Sequence, residues 1–78
     1  MKVIVAVYRH KHGEDIRVFA SQEAANKWRQ ELAAEYWNDT MDADRPTDSA
    51  EMTRQYFEHC EMHGMSESFD TDTCEVED

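Results

Sequence analysis

His59, Cys60 and His63 place two imidazoles and a thiol within the five-residue segment His-Cys-Glu-Met-His. If that segment is helical, His59 and His63 stand one turn apart and both rings can reach one metal ion. The order is not that of zinc-dependent proteases, in which a glutamate directly follows the first histidine. Here Cys60 takes that place, and Glu61 falls about 100° further round the helix. A metal centre would need another ligand from elsewhere, Cys74 or Asp70. The same spacing also describes two histidines that simply flank a core. His10 and His12 share one face of an extended segment on either side of Lys11. They could bind a metal, act as a pH-sensitive contact, or stand solvated in a turn beside Gly13, Glu14 and Asp15. A nucleophilic Cys60 or Cys74 would need a base and an exposed thiolate, and no oxyanion or substrate motif accompanies either. The two glycines, Gly13 and Gly64, build no phosphate-binding loop. No metal or cofactor is called for, and a conventional enzyme is not expected.

The carboxylates form the other chemical constellation. The chain carries 18 Asp and Glu against 8 Lys and Arg, a formal net charge of −10. Residues 1–30 hold six Lys and Arg against three acids, whereas residues 31–78 hold two against fifteen, and no Lys or Arg occurs after Arg54. Such a surface repels nucleic acids and anionic membranes and attracts basic protein surfaces or cations. Asp70 and Asp72 alternate on one face of a β-compatible segment, with Thr71 and Thr73 on the other. Two residues of strand rise separate them by about 6.6–6.8 Å, close to the spacing of successive phosphates along one nucleic-acid strand. Glu58 and Glu61 stand three residues apart on the segment before it, and Glu67, Glu75, Glu77 and Asp78 extend the field. A row of carboxylates at this spacing can occupy an Arg/Lys groove built for DNA or RNA. It also describes a solvated acidic edge that discourages strand-to-strand aggregation.

Five elements must position these groups. Lys2–Arg9 (KVIVAVYR) is apolar on both alternate faces, as a central strand covered by helices on at least one side would be. His10–Asp15 is a polar turn in which Gly13 can take a positive φ. Ile16–Ala20 is the return strand, with Ile16 and Val18 on one face and Arg17 and Phe19 on the other. Ser21 is placed to cap a helix from about Gln22 to Trp37, whose buried stripe is Ala25, Trp28, Leu32 and Tyr36, widened by Ala33 and Trp37. Asn38–Pro46 is the linker, with Asp39, Asp42 and Asp44. Asp48 and Glu51 have capping-box spacing at the start of a second helix whose stripe is Met52, Tyr56, His59 or Cys60, and His63, ending at Gly64. Ser66–Val76 is the last strand. Phe69 differs in parity from Cys74 and Val76, so a bulge is expected if all three face the core. The order ββααβ predicts an α+β fold: a three-stranded sheet with a helical hairpin on one face, the first strand central and the acidic last strand at an edge.

All 78 residues fit one small α+β domain, with an acidic half from residue 31 onward. Eight aromatic residues give it enough apolar material for a core. No apolar run approaches the ~20 residues that span a bilayer, and the N-terminus has no signal-peptide h-region. Two cysteines do not make a disulfide framework; a Cys60–Cys74 bridge is geometrically conceivable, but reduced thiols in a cytoplasmic protein are expected.

With this charge, size and absence of catalytic motifs, the chain resembles small acidic phage-encoded inhibitors of bacterial defence, in particular anti-CRISPR proteins. The opening VIVAVYRHKHGEDIRVFASQEAA also looks like small phage and prophage proteins. The resemblance implies a non-enzymatic DNA mimic, a monomer or weak dimer in the host cytoplasm, that docks where nucleic acid or a partner nuclease would bind a CRISPR effector complex. It points to Glu58, Glu61, Glu67, Asp70, Asp72 and Glu75 as contacts and to Asp39, Asp42 and Asp44 as a second patch. The basic first third favours a local patch over whole-surface mimicry. Two further readings stand beside it: a small metal-binding or redox regulator using His59, Cys60 and His63, and an antitoxin-like accessory protein of a basic partner.

Overall fold

The computed structural model describes residues 1–65 and 67–77. The β-branched N-terminal run forms β1, Lys2–His10, which turns through Lys11 and His12 into β2, Gly13–Phe19. Gly13 takes φ +133°, a backbone conformation that side chains disfavour, and so closes the hairpin tip. The third strand, β3, Ser68–Glu75, pairs with the other side of β1, so the antiparallel sheet has the order β2-β1-β3 with the valine-rich strand central. Pairing of β3 is one-to-one from Lys2↔Glu75 to Arg9↔Ser68. The bulge expected from the parity of Phe69 and Cys74 is therefore absent. Phe69 faces the helices beside Tyr8, while Cys74 lies beside Val3 on the opposite face.

Helix α1, Gln22–Thr40, starts where Ser21 Oγ accepts the Ala24 N–H at 3.2 Å. It runs three residues past Trp37, through Asn38–Thr40, which the sequence assigns to the linker. The Trp37 indole N–H donates to Ala43 O at 2.8 Å, and the Met41 N–H to Trp37 O at 2.8 Å. These bonds pin the exit of the helix and carry it one turn further. Helix α2, Ser49–Met62, is capped by Asp48, whose carboxylate accepts the Ala50 N–H at 3.1 Å. The other half of the expected capping box does not form, because Glu51 turns to Arg54 and Gln55 instead. At its end, Met65 N–H reaches Cys60 O at 2.9 Å and Gly64 N–H reaches Glu61 O at 3.3 Å, with Gly64 at φ +63°. That is the glycine-terminated helix stop that Gly64 suggests.

Both helices pack on one side of the sheet. Ile4, Ala6 and Tyr8 of β1 join Ala25, Trp28 and Leu32 of α1 in one cluster. Ala33 and Trp37 join Met52, Tyr56 and Cys60 of α2 in a second. The buried stripe of α2 is thus Met52, Thr53, Tyr56 and Cys60, while His63 is exposed and His59 half-buried. Thr53 is accommodated because its hydroxyl donates to Ser49 O at 2.7 Å. Among the described residues, no second layer covers the other face of the sheet. Val3, Val5 and Val7 are only half-covered there by their neighbours, and Ile16 and Val18 stand in solvent.

Candidate functional site

The acidic residues singled out in the sequence do not form one row. Asp70 and Asp72 share a face, as alternation requires, but it is the bare face of the sheet, with Asp70 beside Val7 and Asp72 beside Val5. Arg9 binds both Glu14, at 3.1 Å, and Asp70, at 2.9 Å. Glu75 lies opposite Lys2 and 3.6 Å from the N-terminal ammonium group. Glu58 and Glu61 border a recess whose lining also includes Glu67 and Asp70, together with Arg29 and Arg54. Arg54 bridges Glu51 and Glu58, and its hydrogen bonds, with that from Gln55, hold the Glu51 carboxyl down at about 2. Arg54 thus answers two of the acids on this side, Glu51 and Glu58. Asp42 and Asp44 are exposed in the α1–α2 connection.

Glu67 is not part of an exposed row either. Its carboxylate turns into the core, where Tyr8 donates its hydroxyl at 2.9 Å, Tyr56 donates to the other oxygen, and the Cys60 thiol approaches at 3.4 Å. Tyr8, Tyr56 and Cys60 are themselves buried. Burial and the adjacent carboxylate push all three of these acids upward, the thiol to about 11. Cys60 is thus a protonated core thiol. Cys74 sits on the opposite side of the sheet, and both cysteines are free. The rings of His59 and His63 lie against each other, with centroids 4.2 Å apart and planes tilted by 38°. Among the described residues, no three His, Cys, Asp or Glu side chains are grouped so as to hold a metal ion.

A cleft of about 780 Å³ lies between the hairpin tip and α1. Tyr8, Trp28, Leu32 and Tyr36 make its floor; His10, Lys11, His12 and Asp15 form one rim. The other wall is a stripe that the sequence reading did not assemble: Glu31, Glu35 and Asp39. They recur every four residues, so they rise along one face of α1 by about 6 Å per step. Like charges at this spacing oppose each other, at a cost of a few tenths of a kcal/mol per pair. Only Asp39 was singled out in the sequence; the turn of helix added beyond Trp37 brings it into line with the two glutamates. Counting Asp15 and Glu67, five carboxylates line the cleft against the two cations Lys11 and Arg17. The Arg17 guanidinium already lies 4.5 Å from the centroid of Trp28, and His10 is held by Asp15 at 3.2 Å. An aromatic floor beneath an acidic wall suits a planar or alkyl cation, because the ring faces and the carboxylates attract the same charge.

No protein-family model, curated protein or solved structure matches the chain. Among the described residues, no helix is long and apolar enough to cross a membrane.

Proposed function

We propose that the protein is a non-enzymatic, acidic binding protein that inhibits a partner by occupying a basic, nucleic-acid-binding surface. The observation that carries this reading is the stripe Glu31, Glu35 and Asp39 standing over the aromatic floor of the cleft. Acidity alone serves solubility. Carboxylates aligned along a concave wall, beside rings that already hold one guanidinium, give an arginine or lysine of a partner both its charge partner and its packing surface. Asp70 and Asp72, at their phosphate-like spacing, add a second negative patch on the other side of the sheet. The cytoplasmic complex of a bacterial defence system, a CRISPR effector above all, is the partner that the resemblance to phage inhibitors nominates. A metal or redox role draws no support from Cys60, whose thiol is buried and protonated.

Capture of purified CRISPR effector complexes on the immobilised protein, at low and at high salt, tests this reading. Binding is expected at low salt and is expected to weaken as salt rises, because the steering charges are screened over about 8–10 Å. Replacing the stripe by Glu31→Gln, Glu35→Gln and Asp39→Asn should weaken binding by about tenfold or more, since charge pairs at interfaces couple by about 1.5 kcal/mol upward. The same substitutions relieve repulsion within α1, so the melting temperature should hold or rise. Absence of binding to every effector at low salt would remove the assignment to this partner class.

A further inference from the structure

Among the described residues, one face of the sheet is left uncovered. An antiparallel sheet that leaves one face to water ordinarily carries polar residues there, yet β1 carries valines on the face that α1 and α2 leave open. Two successive rows cross that face: Val18, Val5 and Asp72, then Ile16, Val7 and Asp70. Ile16 and Val18 are 61% and 63% exposed. The rows are polarised, apolar over β2 and β1 and acidic over β3. Arg9 answers Asp70, whereas Asp72 makes no ion pair among the described residues. Three strands spaced about 4.8 Å apart make a face about 14 Å wide, and eight residues of β3 make it about 25 Å long. A helix with its side chains is about 10–12 Å across.

We propose that this face seats one amphipathic helix of a partner, with its apolar stripe on Val5, Val7, Ile16 and Val18 and a Lys/Arg flank on Asp70 and Asp72. The basic character of the partner agrees with the function proposed above and rests in part on it; the helical form rests on the width and polarity of the sheet face. Charge argues against a second copy of this chain as the occupant. It would bring its own Asp70 and Asp72, and a further formal charge of −10, to the same surface.

The probe is a synthetic peptide of leucine, alanine and lysine, about 18 residues and so about 27 Å long as a helix, with one apolar face. A scrambled peptide of the same composition, and therefore the same charge, is the control. Each is titrated into methyl-labelled protein and followed by NMR. The amphipathic peptide is expected to bind at least about tenfold more tightly than the scrambled one, a difference of about 1.4 kcal/mol. Its shifts should centre on the methyl groups of Val5, Val7, Ile16 and Val18 and leave the Trp28 indole unmoved. Ile16→Thr with Val18→Thr keeps β-branched residues at positions that are already exposed, and should weaken binding by about tenfold. Asp70→Asn with Asp72→Asn should weaken it less, and chiefly at low salt. Equal binding of the two peptides, no binding of either, shifts centred on the cleft, or a dimer that covers these methyl groups in the free protein would each overturn the proposal. Failure of the cleft to take a basic side chain would appear at Trp28 instead, so the two readings fail separately.

Discussion

Glu67 joins parts of the chain that are far apart in sequence: it takes hydrogen bonds from Tyr8, 59 residues away, and from Tyr56 and Cys60 on α2. Its position at the foot of β3 makes it a tie between the last strand, the central strand and the second helix. The tie has a pH signature. In the unfolded chain the Cys60 thiol ionises near its ordinary value of 9.0, whereas in the fold burial and Glu67 push it to about 11. The folded state therefore holds this proton more tightly than the unfolded state does. Its contribution to stability is complete below pH 9 and is lost as the pH rises toward 11. Tyr8 and Tyr56, both raised above 10.0 by the same causes, extend the loss to higher pH. Urea denaturation across this range should show a midpoint that falls steadily above pH 9. In Cys60→Ser the onset of that fall should move upward, toward the range set by the tyrosines. A midpoint that rises between pH 9 and 11 would contradict this placing of Glu67.

The hairpin tip shows what a single element contributes to the site. A Cβ at Gly13 would meet no atom within 4 Å, so the cost of Gly13→Ala lies in the backbone, which holds φ at +133°. Destabilisation of about 1–2 kcal/mol is expected in thermal or chemical denaturation. The same change should loosen the rim formed by His10, Lys11 and His12. Such local features are readable in the sequence, because turn glycines and caps act within four residues: Gly13, Ser21, Asp48 and Gly64 all do what their types suggest. The order of elements, the central place of β1 and the alternation of Ile16 and Val18 against Arg17 and Phe19 are legible for the same reason. Features set by tertiary contacts were not. The indole bond from Trp37 to Ala43 carries α1 to Thr40, and only with that extra turn does Asp39 join Glu31 and Glu35 in a stripe. With the helix ended at Trp37, the repeat is cut short and Asp39 falls in a linker. The parity of Asp70 and Asp72 is visible in the sequence, but the face that the helices cover is not, and neither is the inward turn of Glu67. An Arg54 within reach competes for Glu51, so a capping-box spacing gave only half a capping box.

At the scale of the molecule, the net charge of −10 is spread over surfaces that differ in what surrounds the carboxylates. Beside α2, Arg54 pairs with Glu51 and Glu58; over β3 the carboxylates rim an apolar sheet; along α1 they wall an aromatic cleft. The body measures 48 × 27 × 17 Å, so a protein of this size can present both the cleft and the sheet face to one large partner. The central claim is that the cleft receives a basic side chain, and a titration with N-acetyl-arginine amide, read at the tryptophan indole N–H signals, tests it most directly. Trp28 lies in the cleft floor, whereas the Trp37 indole is bonded to Ala43 and serves as the internal reference. The predicted result is a saturable shift of Trp28 with Trp37 still, weakened by salt and by Glu31→Gln with Glu35→Gln and Asp39→Asn, and missing with the uncharged citrulline analogue. An equal response to arginine and citrulline, or an undiminished response in the substituted protein, would contradict it.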